Sequence, residues 1–214
     1  NFELDRKIYE GWNTTEDTGN IQDTIGHGSE VSSILCILNP EAQIIPVKIN
    51  QQGKSYFTSG DVIEGLYKAK MLKADVVNMS LSGPVSSQFL EEAVQDCIQV
   101  GMLLVAAAPH SATDDHGQYP ASYPQVMGVA ADGGSQGGGV DSGSQLFQEK
   151  VSAPGLDIGV IGLDGQLKRV SGSSYSTAIV SGVASRLLAQ NPHLSPHTVK
   201  NYLTQSSSVT RKNA

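Results

Sequence analysis

The stretch Gly172-Ser173-Ser174-Tyr175-Ser176-Thr177-Ala178-Ile179-Val180-Ser181-Gly182 decides how this chain is read. Its second half is small and apolar, and with Ala184 it suits a helix that passes close to its neighbours. A serine just inside a buried helix N-terminus lies beside backbone N–H groups that have no intrahelical partner. Such donors stabilise a developing oxyanion. Alone, the segment has two readings: a reactive Ser174, or a serine that only caps a helix.

A second segment, Gly26-His27-Gly28-Ser29-Glu30-Val31, leads into Ile34, Leu35, Ile37 and Leu38 at helical spacing. A histidine opening a helix between glycines, which let chain and substrate approach, is placed to act as a general base. Alone, a histidine between glycines is more often a structural or an exposed residue. The two segments together are stronger than either.

Outward from these, short apolar β-branched runs alternate with amphipathic ones, the rhythm of an α/β fold. Strands are expected over Gln43–Ile49, Ala74–Leu81, Met102–Ala108 and Val126–Ala131, and helices over Ser59–Lys73 and Gln88–Val100, the latter closed by Gly101. A hairpin turn is expected over Gly162–Gly165. Two helices close the chain, from Ser174 to Gln190 and from Ser195 to Ser206, with Ser195 as N-cap and Pro196 at the first helical position. With 214 residues and no long linker, residues 1–214 are expected to form one domain. Parallel sheets of this kind hold their sites at the carboxyl ends of the strands.

The net charge of −7, with no basic run longer than a pair such as Arg211-Lys212, argues against nucleic acid as a partner. No run approaches the roughly 18 apolar residues of a membrane span, so no membrane partner is expected. No signal-peptide pattern opens the sequence, a feature that a mature secreted chain would share. Cys36 and Cys97 read as small buried hydrophobes or as a disulfide, which leaves the compartment open. Asp114-Asp115-His116 reads as a solvated turn rather than a metal site, His193 and His197 as surface residues, and the Gly-rich loop from Asp132 to Ser144 lacks a phosphate-cradle pattern.

The motifs together resemble the subtilisin family of serine proteases, in the right order over nearly the whole chain. Gly26–Val31 is similar to the family's Gly-His-Gly-Thr-His-Val, which implies that His27 is the base. Gly172–Gly182 is similar to Gly-Thr-Ser-Met-Ala-Ser-Pro-His-Val-Ala-Gly, which implies Ser174 as nucleophile. Val76–Gly83 resembles the strand against which the substrate backbone lies, and implies substrate contacts from Ser80, Leu81 and Ser82. Gly101–Ala108, Tyr119–Pro124 and Ser152–Gly155 match further family segments. The resemblance implies a three-layer α/β fold with a mostly parallel central sheet, peptide or protein substrates, and no cofactor.

Three departures qualify it. The family's first strand, of the type Val-Ala-Val-Ile-Asp-x-Gly, has no counterpart in residues 1–214, because Asn1-Phe2-Glu3-Leu4 matches the segment after it. The catalytic Asp is therefore expected from a separate N-terminal segment. Asp5, Asp17 and Asp23 are not assigned to it. The oxyanion Gly-Asn is replaced by Pro109-His110, which leaves His110 either as a ring-nitrogen donor or as a loop residue turned away. The direct run from the His27 helix to Ile44 omits a loop that carries calcium in many relatives, so no metal is expected there. A serine endopeptidase is the leading expectation. A peptide-binding pseudoprotease is the alternative, and transamidation fits less well, because no insertion beside His27 would shield an acyl-enzyme from water.

Overall fold

The computed structural model describes residues 8–51, 53–108, 118–132 and 151–212, with side chains described as far as residue 206. A parallel four-stranded sheet is built from β3 (Val76–Met79), β4 (Leu103–Ala107), β5 (Met127–Asp132) and β6 (Val151–Pro154), in that order. Val76 stands beside Leu103, Val105 beside Met127, and Val129 beside Val151.

Successive side chains of a strand point to opposite faces, and β4 shows what this does to the core. Leu104 and Ala106 join a cluster with Val62 and Leu66 of α2 (Ser59–Met71) and Leu90, Val94 and Cys97 of α3 (Gln88–Gln99). Leu103 and Val105 join Val180 and Ala184 of α4 (Ser173–Gln190) and Val199 of α5 (Pro196–Lys212) on the other face. The fold is thus α/β with three layers. A strand covered on both faces needs a nearly continuous apolar run, which is why Met102–Ala108 was legible.

Helix ends follow side-chain chemistry. Thr58 and Asp61 close a reciprocal capping box on α2, Ser87 caps α3, and the Ser195 hydroxyl accepts the Thr198 amide at 3.1 Å. Gly101 ends α3 with φ 87°. The expected hairpin joins β7 (Ile158–Ile161) to β8 (Leu167–Val170). Cys36 and Cys97 are separate buried thiols, and burial raises the Cys97 thiol to about 11.

The strand expected over Gln43–Ile49 is shorter, since only Val47–Lys48 forms β2. It pairs in parallel with β1 (Trp12–Asn13), and Ile44 makes an isolated bridge to Ile8. Among the described residues no strand joins β2 to β3, so the parallel strands lie in two separate sheets. A strand with one paired edge has half the ladder to hold it in register. The first helix, α1 (His27–Leu38), crosses α4 closely: a Cβ on Gly182 would lie 2.8 Å from the Leu38 Cβ.

Candidate active site

His27 is the first residue of α1, and its position is set by its neighbours. Gly26, with φ 98°, takes a left-handed turn that a side chain would strain. The Asp23 carboxylate then gathers the start of the helix. One oxygen accepts the Ile25 and Gly26 amides at 2.9 and 2.8 Å, and the other accepts the Ser29 amide and hydroxyl, both at 2.8 Å. Burial raises the Asp23 pKa, but the hydrogen bonds from Gly26, Ile25 and Ser29 outweigh it and hold the carboxyl below its ordinary range.

Ser174 is the second residue of α4. Gly172 enters the helix at φ 151°, and its amide donates to the Gly155 carbonyl at 2.8 Å, which ties α4 to the end of β6. Among the described residues the Ser174 amide has no acceptor. Its hydroxyl donates to the Ser80 carbonyl at 3.3 Å, and the Ser80 hydroxyl donates to the Ser174 carbonyl at 2.7 Å. Behind this pair, Asn78 donates to the Ser80 hydroxyl at 2.9 Å and accepts from Ser181 at 3.0 Å.

The two helix starts meet through Tyr175. Its ring lies 5.9 Å from the His27 ring, centroid to centroid, at 58°. Its hydroxyl donates to Glu30 Oε2 at 2.6 Å, and Lys168 Nζ sits 2.5 Å from Glu30 Oε1. Burial first, and then the Glu30 carboxylate, push the Tyr175 hydroxyl well above the ordinary phenol range. Among the described residues no hydrogen bond reaches the His27 ring, and both oxygens of Asp23 and of Glu30 have partners elsewhere.

Ser80, Leu81 and Ser82 continue from the carboxyl end of β3. Ser80 and Leu81 are half-buried and Ser82 is exposed. Leu81 lines a cavity of about 150 Å³ with Phe57, Val62, Leu90, Tyr119 and Pro120. Gly83 and Tyr119 exchange backbone hydrogen bonds of 3.0 and 2.8 Å at its edge. His110, Asp5 and Asp114-Asp115-His116 lie outside the described residues. Asp17, His193 and His197 are exposed.

Sequence reasoning passed over Glu30, Tyr175 and Lys168. The signal was present, because Glu30 replaces the second His of the quoted histidine motif and Tyr175 replaces the Met that follows the serine. Neither substitution says that the two side chains meet.

The sequence and the fold are similar to those of known proteins. The subtilisin DY of Bacillus licheniformis is 28% identical over 197 residues, which cover 85% of this chain and 70% of that protein. Subtilisin E of Bacillus subtilis (strain 168) is 29% identical, over 82% of this chain and 49% of its own length. Among solved structures, a cold adapted subtilisin-like serine proteinase superposes with a TM-score of 0.79 at 25% identity, covering 95% of this chain and 76% of that one. The self-cleaved protease domain of PatA gives 0.72 at 29% identity, over 84% and 74%. The Subtilase family model matches residues 2–214, and the chain belongs to that family of serine proteases.

Proposed function

We propose that this domain, residues 1–214, is a serine endopeptidase in which Ser174 is the nucleophile and His27 the general base. The observation that carries the reading is the meeting of the α1 and α4 helix starts, where the Tyr175 ring beside Ser174 rests against His27. Ser174 Oγ attacks the substrate carbonyl as His27 takes its proton, and the Ser174 amide, which has no acceptor among the described residues, donates to the developing oxyanion. His110 is the second donor in this reading. Collapse of the tetrahedral intermediate passes the proton from His27 to the leaving amine, and water then hydrolyses the acyl-enzyme.

The substrate backbone lies against Ser80, Leu81 and Ser82, and an apolar substrate side chain enters the cavity beside Leu81. The acid that orients His27 comes from a segment outside these 214 residues. Its strand enters between β2 and β3, where the two sheets are not joined. An unpaired parallel edge is a template for such a strand.

A second reading, a pseudoprotease that binds peptides, is favoured by one observation: the Ser174 hydroxyl donates to Ser80 rather than to His27. Treatment with a fluorophosphonate, followed by mass spectrometry, separates the two. Stoichiometric modification of Ser174, accelerated by a peptide carrying the Asp-bearing strand, is expected. An acid lost from a serine-protease triad costs about 10⁴ in rate, so the acceleration is measurable. No modification with the peptide present establishes the pseudoprotease.

A further inference from the structure

We propose that Tyr175 and Glu30 act together as a positioning pair that sets the relation of His27 to Ser174, with Lys168 holding the Glu30 carboxylate from the other side. The proposal rests on the peptidase reading for its catalytic meaning, but its geometry stands apart from it. Tyr175 follows Ser174 directly on α4, and Glu30 lies three residues beyond His27 on the same side of α1. Their 2.6 Å hydrogen bond is therefore a cross-link between the helix that carries the nucleophile and the helix that carries the base.

The same bond fixes the Tyr175 ring, and that ring is a wall for the imidazole at 5.9 Å. Held by its Cβ at one end and its hydroxyl at the other, the ring keeps its long axis in place and cannot swing away from the imidazole. Glu30 is only 5% exposed, and a carboxylate so buried persists only when its oxygens are satisfied. Tyr175 satisfies one and Lys168 the other, the latter from β8. Glu30 Oε1 also lies 3.4 Å from the place of a Cβ on Gly26, so the carboxylate sits directly beneath the turn that delivers His27. Three elements, α1, α4 and the β7–β8 hairpin, thus converge on one side chain next to the base.

Neither residue is a catalytic residue, since both act through His27. A misplacement of about 1 Å at a reacting group can cost about a hundredfold in rate. In a double-mutant cycle, residues that work as one unit show losses that do not add.

The test compares wild type with Tyr175→Phe, Glu30→Gln and the double variant, in the 214-residue chain with the Asp-strand peptide present. Two quantities are measured: the rate of Ser174 phosphonylation by a fluorophosphonate, and the position of the His27 ring cross-peak in protein carrying ¹³C-labelled histidine. Each single variant is expected to slow phosphonylation about tenfold to a hundredfold and to displace the His27 cross-peak, and the double variant to be no slower than the worse single. An unmoved cross-peak with rates within about twofold of wild type overturns the proposal, as do losses that multiply in the double variant. If Glu30→Gln does not fold cooperatively, Tyr175→Phe alone decides, because Phe keeps the buried ring. If wild type itself is not modified, the peptidase reading fails, while the cross-peak still decides the positioning pair.

Discussion

Ser80 and Ser174 exchange hydrogen bonds in both directions, hydroxyl to carbonyl, at 2.7 and 3.3 Å. The pair ties the carboxyl end of β3 to the first turn of α4, so the strand expected to hold the substrate also holds the nucleophile. Ser80→Ala removes the shorter bond and leaves the half-buried Asn78 amide without its acceptor. A buried polar group left unpaired costs about 1–3 kcal/mol, and urea unfolding is expected to show a loss in that range. Phosphonylation of Ser174 in the folded variant is expected to slow, because the first turn of α4 loses its tether. A stability equal to that of wild type would show that the network bears no load.

Asp23→Ala tests the start of α1. The carboxylate gathers four donors there, more than a simple N-cap, whose loss costs about 0.5–2 kcal/mol. A loss of about 2 kcal/mol at neutral pH is expected by urea titration. The pH dependence has a definite sign. The folded-state pKa lies below the ordinary 3.8, so the unfolded chain takes up the proton first as pH falls. The contribution is complete above pH 3.8 and disappears as pH drops through the folded-state value. Wild type and Asp23→Ala should therefore converge in stability in strong acid, and a gap independent of pH would contradict the assignment.

Gly155→Ala tests the junction below Ser174. A Cβ there would lie 2.4 Å from both the Ala131 Cβ and the Ser176 Oγ. Neither neighbour is a flexible chain end, so backbone must shift, at a cost of about 1–3 kcal/mol. Gly155 accepts the Gly172 amide, so the shift passes to the start of α4. A drop in Ser174 phosphonylation larger than the loss of folded protein is expected.

Much of the fold was legible because burial imposes a pattern. β4 is covered on both faces, so its residues had to be apolar without a break, and the helices α2 and α3 show one apolar side with a polar residue to cap each. Gly172, Gly26 and Gly155 were legible as glycines but not as contacts, since what a Cβ would strike depends on residues far away in sequence. The same limit hid the Glu30–Tyr175 bond, which spans 145 positions. β2 was overestimated for a different reason. Gln43–Ile49 has the composition of a strand, but a strand's length is set by its partners, and among the described residues β2 pairs only with β1.

Val62→Phe tests the cavity beside Leu81. Val62 is 5% exposed and lines the cavity from α2, so a phenyl ring there occupies space that a substrate side chain would otherwise fill. One methylene in an apolar pocket is worth about 1–3 kcal/mol in discrimination, and a blocked pocket loses several of them. In a peptide library, preference for a large apolar side chain at one position should fall by at least about tenfold, while peptides with Gly or Ala at that position keep their rate. A uniform loss across all peptides would mean that the ring displaces Leu81 and distorts the Ser80–Ser82 strand. An unchanged preference would place the substrate side chain elsewhere in the cleft.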